Sequence, residues 1–319
     1  MSDLPAIPNT DRPPVPNVVV AHGITQFYLP RRPVRGRLIR LGPLADALLT
    51  RHAYNPVVTR LAGQMLALTA GLASALKYQG SFSIQAKGDG PLPVVLADCT
   101  DTGEIRGYTR IELDRLTELL AQNPAPSAGT LLGAGYIAFS VDQGPNRERH
   151  QGIVSIEGDT LVDMALHYFA TSEQLACRVQ LACELTEAGW RAGALILERV
   201  PGDGGIDPEM EQEEQDEAWR TALALAGTLT NAELLDDTLA PEQLIYRLFH
   251  AEGAAIDHAR PLSYGCRCSR AKLGRVLETF PGEDLDHMAV EGEVVMTCEF
   301  CNLDFRFPRD TVHSRADSA

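Results

Sequence analysis

The sequence predicts an α+β protein: an N-terminal mixed α/β sheet domain, a helical metastable linker and a small C-terminal domain organised by cysteines. Three observations predict it. Strand-like and helix-like segments alternate from about residue 18 to 200, and an acidic, Gly- and Pro-rich stretch, PGDGGIDPEMEQEEQDE, interrupts them at 201–217. Four of the seven cysteines then fall within the last 54 of 319 residues. That length suits roughly two folding units, and 45% hydrophobic residues allow a sizeable core.

Taken in order, VVVAHGITQFYL (18–29) and RGRLIRL (35–41) are rich in β-branched and alternating apolar residues, the mark of strands. Asn55 and Pro56 fit an N-cap and first helical position. Val57, Leu61, Met65, Leu68, Leu72 and Leu76 follow at spacings of three and four, one apolar stripe on a long helix. SFSIQAKGDG, PLPVVLADC, DTGEIRGYTR, GAGYIAFSVDQG and QGIVSIEGD supply further strands and turns, with the polar loop PNRERH between the last two. Thr160 and Asp163 can cap the helix in TLVDMALHYFATSEQ, where Leu161, Met164, Ala165 and Tyr168 share a face. Cys177, Val179, Leu181, Cys183 and Leu185 alternate with Arg178, Gln180, Ala182 and Glu184, which predicts a half-buried antiparallel strand with both cysteines inward. EAGW turns it into ALILERV.

Beyond the acidic break, short helices are expected around Trp219 and Leu223, and from Pro241 through Leu244, Ile245, Leu248 and Phe249 to Gly253. Their apolar faces are modest, which predicts low local stability. The expected boundaries are a mobile N-terminal tail (1–17), the core domain (18–205), the acidic and helical linker (206–258), the cysteine module (259–308) and a C-terminal tail (309–319).

The totals exclude several partners. A formal net charge of −15 repels phosphate backbones, so no nucleic acid is expected. No stretch approaches the roughly 18 apolar residues of a membrane helix. The N-terminal MSDLPAIPNTDRPPVPN lacks a basic region followed by an apolar run, so no secretory signal is read there and a reducing cytoplasmic location is expected. In such a compartment clustered cysteines point to metal or redox chemistry rather than structural disulfides.

The cluster reads Cys266-x-Cys268, a 29-residue spacer, then Cys298-x-x-Cys301. Two close pairs on tight turns offer a tetrahedral tetrathiolate site for one Zn²⁺. The spacer contains a helix-like SRAKLGRVLETFPG, with Leu273, Val276, Leu277 and Phe280 as its apolar face, and GEVVMTCEFCNLDFRF reads as a β-hairpin whose turn carries the second pair. Zinc would hold the sulfurs as thiolates, the form that peroxide attacks. The net −2 charge of such a site is offset in part by Arg267, Arg270, Lys272 and Arg275. A plain structural zinc staple is the competing reading, since so small a module often needs a metal. Cys177 is read as a small core residue, and His258, His287 and His313 as solvated. No G-x-x-x-x-G-K-[ST], G-x-S-x-G or H-E-x-x-H pattern occurs, and no enzyme is expected.

These motifs resemble the heat-shock protein 33 family of redox-regulated chaperones. The likeness is carried by GCRCSR at 265–270 and VMTCEFCNLDFRF at 295–307, and by GDGPL at 88–92, GEIRGY at 103–108, QGIVSIEGDT at 151–160, HYFATSEQL at 167–175 and LFHAEG at 248–253. It implies an ATP-independent holdase that is inactive when reduced and zinc-bound. It implies disulfides Cys266–Cys268 and Cys298–Cys301 on oxidation, zinc release, linker unfolding, binding of unfolding client proteins and a homodimer when oxidised. The client surface is then expected to include Trp219, Leu223, Leu248, Phe249 and part of the sheet. One departure is Ala176-Cys177, where the family often has Pro-Thr. Two other classes remain open. One is a zinc-ribbon module binding protein or nucleic acid, through the four basic residues above and Phe300, Phe305 and Phe307. The other is a thiol-disulfide oxidoreductase acting through Cys298-Glu299-Phe300-Cys301.

Overall fold

The computed structural model describes residues 15–75, 79–144, 150–200 and 210–314. The strands of the first half are β1 (Val19–Leu29), β2 (Val34–Arg40), β3 (Ser81–Gly88), β4 (Val94–Thr100), β5 (Glu104–Arg110), β6 (Gly135–Asp142), β7 (His150–Ser155), β8 (Cys177–Thr186) and β9 (Gly189–Arg199). Among them lie helices α1 (Pro43–Leu49), α2 (Pro56–Ala73), α3 (Leu113–Gln122), α4 (Ala128–Leu132) and α5 (Leu161–Tyr168). The sequence expectations hold where chemistry is local. Asn55 caps α2 by accepting the Val57 N–H at 3.0 Å, with Pro56 in the first turn. Thr160 and Asp163 form a reciprocal capping box on α5. Leu76, expected on the α2 stripe, lies outside the described residues. Helices α1, α3 and α4 are not anticipated by the sequence patterns.

After the acidic stretch come α6 (Gln212–Ala226), α7 (Asn231–Leu235), α8 (Pro241–Phe249) and β10 (Ala255–Tyr264). Among the described residues ten strands form one sheet, in the order β7-β6-β3-β4-β5-β10-β1-β2-β9-β8. Strand β10 joins its two halves. It pairs antiparallel with β1, with two register breaks, and parallel with β5 only at Ser263 and Tyr264. Compact packing divides the chain after Gly265: one unit is Asn17–Gly265, and a second begins at Cys266. The module expected to start at residue 259 therefore begins later, because residues 259–264 complete β10 in the sheet. Pro261 hides this strand from the sequence pattern; it sits between the paired Val20–Leu262 and Ile24–Arg260, where the register breaks and no ladder N–H is needed.

The sheet is buried differently on its two sides. One face packs on α1, α2 and α5, with α2 lying against β4, β9, β8 and β5. Its core includes Ile39, Leu44, Val58, Met65, Leu68, Ile84, Ala97 and Met164. On the other face, Phe27 and Leu29 of β1, Val34 and Leu38 of β2, Ala182 of β8 and Leu195 and Leu197 of β9 meet Trp219, Ala222, Leu234, Leu244, Ile245, Leu248 and Phe249 of the linker helices. Strand β8 is thus buried on both faces in its middle, not half-buried as its alternation suggested, and Leu185 is exposed. The continuous run Ala192, Gly193, Ala194, Leu195, Ile196 and Leu197 of β9, buried throughout, has the same cause. The Phe27 ring lies over Gly36, where an added Cβ would come within 2.0 Å of it, and meets the Phe249 ring at 5.3 Å between centroids.

Polar contacts fasten the same cover. Arg199 donates to Asp216 at 2.5 Å, Gln180 donates to the Leu229 carbonyl at 3.1 Å, and Arg191 pairs with Asp237.

The second unit holds α9 (Arg270–Leu277), α10 (Gly282–Met288), and a three-stranded sheet of β11 (Ala289–Val290), β12 (Glu293–Thr297) and β13 (Asp304–Pro308) in that order. Leu277, Leu285, Val294, Phe305, Phe307 and Val312 are its buried apolar residues, so its core is small. Val276, expected on the inner face of α9, is 45% exposed.

Candidate metal centre

The four cysteines come together from two local structures. Cys266 and Cys268 lie just before Ser269, whose side chain caps α9 by accepting the Lys272 N–H at 3.1 Å. The helix N-terminus so favours negative charge at the first pair. Cys298 and Cys301 sit in the turn between β12 and β13. The Cys298 N–H donates to the Leu303 carbonyl at 2.9 Å, the Asn302 N–H donates to the Cys298 carbonyl at 2.8 Å, and Asn302 takes a left-handed conformation at φ 52°. A C-x-x-C pair on a hairpin turn is what the sequence predicts there.

All four sulfurs lie within 4.8 Å of one another, and all four residues are buried, Cys301 fully. The Sγ separations are 3.4 Å for Cys266–Cys268, 3.7 Å for Cys266–Cys298 and 3.5 Å for Cys268–Cys301. A tetrahedron of sulfurs at about 2.3 Å from one ion has edges of about 3.8 Å. The donor set therefore fits a single tetrahedral metal, and the four cysteines carry thiols rather than disulfides. His258, His287 and His313 are exposed and stand outside the group.

Electrostatics shows why a cation belongs there. Burial, followed by the hydrogen bond and charge of Cys266, pushes the Cys268 thiol up to about 12. The Cys301 thiol is raised as well, first by its hydrogen bond with Cys266 and then by that with Cys298. Cys298 goes the other way: hydrogen bonds from Cys266 and Cys301, and from the backbone N–H groups of Cys301 and Phe300, hold it well below the usual thiol range. Four sulfurs crowded and buried this closely resist ionising together, as the raised Cys268 and Cys301 thiols show. A dication lets all four ionise. Binding displaces the protons that these thiols otherwise hold, so the apparent affinity should rise with pH from about pH 7 to 8. Competition with a colorimetric chelator at the two pH values measures it; an affinity independent of pH contradicts the assignment.

The basic residues have other work. Arg270 donates to the Arg306 carbonyl at 2.7 Å and lies 4.9 Å from the Phe307 ring centre, and Lys272 donates to the Arg267 carbonyl at 2.8 Å. Phe305 and Phe307, considered as base-stacking residues, are buried in the module's core.

A family model described as Hsp33 protein matches residues 23–308. The chain belongs to the Hsp33 family. The "33 kDa chaperonin" of Caulobacter vibrioides (strain NA1000 / CB15N) is 38% identical over 288 residues, covering 89% of this chain and 93% of that protein. That of Pseudomonas fluorescens (strain SBW25) is 32% identical over 284 residues, covering 88% and 89%. The crystal structure of the 33 kDa chaperonin (heat shock protein 33 homolog) from Thermotoga maritima matches with a TM-score of 0.71 at 20% identity, over 91% of this chain and 96% of that one. It shows the shared fold. Hsp33 is a chaperone family and not an enzyme class, as the resemblance of GCRCSR and VMTCEFCNLDFRF implied. No helix among the described residues is long and apolar enough to cross a membrane.

The other three cysteines stand apart from the centre. Cys99 is buried in the core, where its thiol lies 3.5 Å from the Thr100 carbonyl. Burial raises both Cys177 and Cys183 to about 12. They are protonated near neutral pH and poor nucleophiles.

Proposed function

We propose that the chain is a redox-regulated, ATP-independent holdase of the cytoplasm, with one zinc ion on Cys266, Cys268, Cys298 and Cys301 in the reduced state. The observation that carries the reading is the apolar face of β1, β2, β9 and β8 lying under α6, α7 and α8, a cover that continues through β10 directly into Cys266. An all-thiolate tetrahedral set suits zinc. Bound zinc keeps the four sulfurs ionised and adds its binding free energy to a module whose own core is small.

Ionised sulfurs are the nucleophiles that peroxide meets. Cys266 with Cys268, and Cys298 with Cys301, each form one S–S bond. Each pair gives two electrons to one peroxide, whose O–O bond breaks; with two protons taken up from solvent its oxygens leave as two waters. Sulfurs so paired no longer serve as four anionic donors, the ion is released and the module loses its folding energy. At five and nine residues, α7 and α8 are too short to persist as isolated helices, so once undocked they unfold. Phe27, Leu29, Val34, Leu38, Leu195 and Leu197 then face water and take up apolar segments of unfolding proteins. A homodimer of the oxidised form belongs to the proposal, as the family resemblance implies.

Peroxide titration of the reduced, zinc-loaded protein tests this, with zinc release and light scattering of an unfolding client read together. Zinc loss with suppressed aggregation, both reversed by a dithiol, is expected. Retained zinc sinks the redox reading, and zinc loss without chaperone activity reduces the centre to a structural staple.

A further inference from the structure

Arg40 is a charged residue at an inward position of β2, on the face that carries Leu38, and is only 6% exposed. Among the described residues it makes no ion pair. Its guanidinium instead donates to three main-chain carbonyls of one short linker segment: Nε to Leu234 at 2.9 Å, Nη2 to Glu233 at 2.6 Å, and Nη1 to Leu239. Leu234 and Glu233 belong to the last turn of α7, where carbonyls have no helical partner. The segment is shaped before it meets Arg40. Thr230 and Glu233 form a capping box, Arg247 donates to Glu233 at 2.9 Å, and the Asp236 carboxylate accepts the N–H of Thr238 at 2.8 Å and its hydroxyl at 2.6 Å.

We propose that Arg40 is a pin: one sheet residue that holds segment 233–239, and with it α7 and α8, on the sheet, and so sets how readily the linker is released. The inference rests on the reading of that linker as a removable cover. A buried guanidinium is expensive to desolvate, and here the cost is offset by carbonyls of the linker and by the nearby charges of Asp236, Asp237 and Glu242. Lifting the segment therefore breaks three hydrogen bonds together while rehydrating the charge. The first makes release all-or-none, and the second makes the released state accessible. An apolar side chain at residue 40 would leave the three carbonyls without a donor in the docked state.

The test uses the full-length, reduced, zinc-loaded protein carrying Arg40→Met, compared with Arg40→Lys and wild type. Amide exchange across residues 231–249 should quicken on the order of a hundredfold in Arg40→Met. Strands β3 and β4 should remain as protected as in wild type, and zinc should be retained. Arg40→Lys keeps the charge but not the three-pronged geometry, and should recover part of the protection. On oxidation it should shorten the delay between zinc release and client holding without changing the rate of zinc release, a readout that general destabilisation would not give. Unchanged exchange at 231–249 in Arg40→Met overturns the pin. If that variant loses protection throughout the sheet, unchanged exchange and an unchanged delay in Arg40→Lys overturn it instead. If exchange quickens as stated but neither the variant nor oxidised wild type holds a client, the pin stands and the holdase reading fails.

Discussion

Cys298→Ser is expected to abolish metal binding and leave the residues from Cys266 onward unfolded. Cys298 is the sulfur on which the site converges, with hydrogen bonds from Cys266, from Cys301 and from two backbone N–H groups. Serine cannot supply an anionic soft donor at neutral pH, and a three-sulfur remnant binds zinc far more weakly. Structural zinc contributes an apparent 10–16 kcal/mol, roughly, to such modules. Six buried apolar side chains do not replace that. Metal content should fall from one per chain to none, and amide dispersion of residues 266–314 should collapse while the large sheet keeps its signals. A Cys298→Ser protein with one bound metal and a folded hairpin would contradict the assignment.

Phe249→Ala is expected to release the linker with the metal centre intact. Phe249 is fully buried, packs against Phe27 and ends the nine-residue α8. Truncating a buried Phe costs about 3–5 kcal/mol, a large share of what holds three short helices on a sheet. The reduced variant should bind a hydrophobic dye and suppress client aggregation without oxidant while retaining zinc. Ile84→Ala, in the opposite core, serves as the control: it should lower the melting temperature of the sheet without uncoupling activity from oxidation. Wild-type dye binding and full oxidant dependence in Phe249→Ala would argue against the linker as the cover.

The parts of the molecule legible in the sequence are those set by neighbours. Thr160 and Asp163 close a capping box three residues apart, Asn55 and Pro56 open a helix, and Cys298 and Cys301 need only a hairpin turn to aim at one point. What was not legible depends on distant partners. Pro261 argues against a strand until the register break that accommodates it is known. The amphipathic face of α8 looks modest alone, yet Leu244, Ile245, Leu248 and Phe249 are all buried because β9 offers apolar residues on both of its faces. A sign was present in the unbroken run ALIL, which cannot belong to a one-sided strand. Arg40 carried another: a charge between Ile39 and Leu41, at an inward strand position, calls for buried acceptors. Those acceptors lie 193 residues or more away in the chain and are main-chain atoms, which no side-chain pattern reveals.

Loss of the four thiolates is expected to uncover the face of β1, β2, β9 and β8. Amide exchange in α8, followed in the same sample as zinc release during peroxide oxidation, tests it most directly. Protection of α8 should be lost after zinc leaves, in step with the onset of client holding, while β3 and β4 stay protected and a dithiol with zinc restores the helix. An α8 still protected once zinc release is complete and client holding has reached its plateau would rule this out.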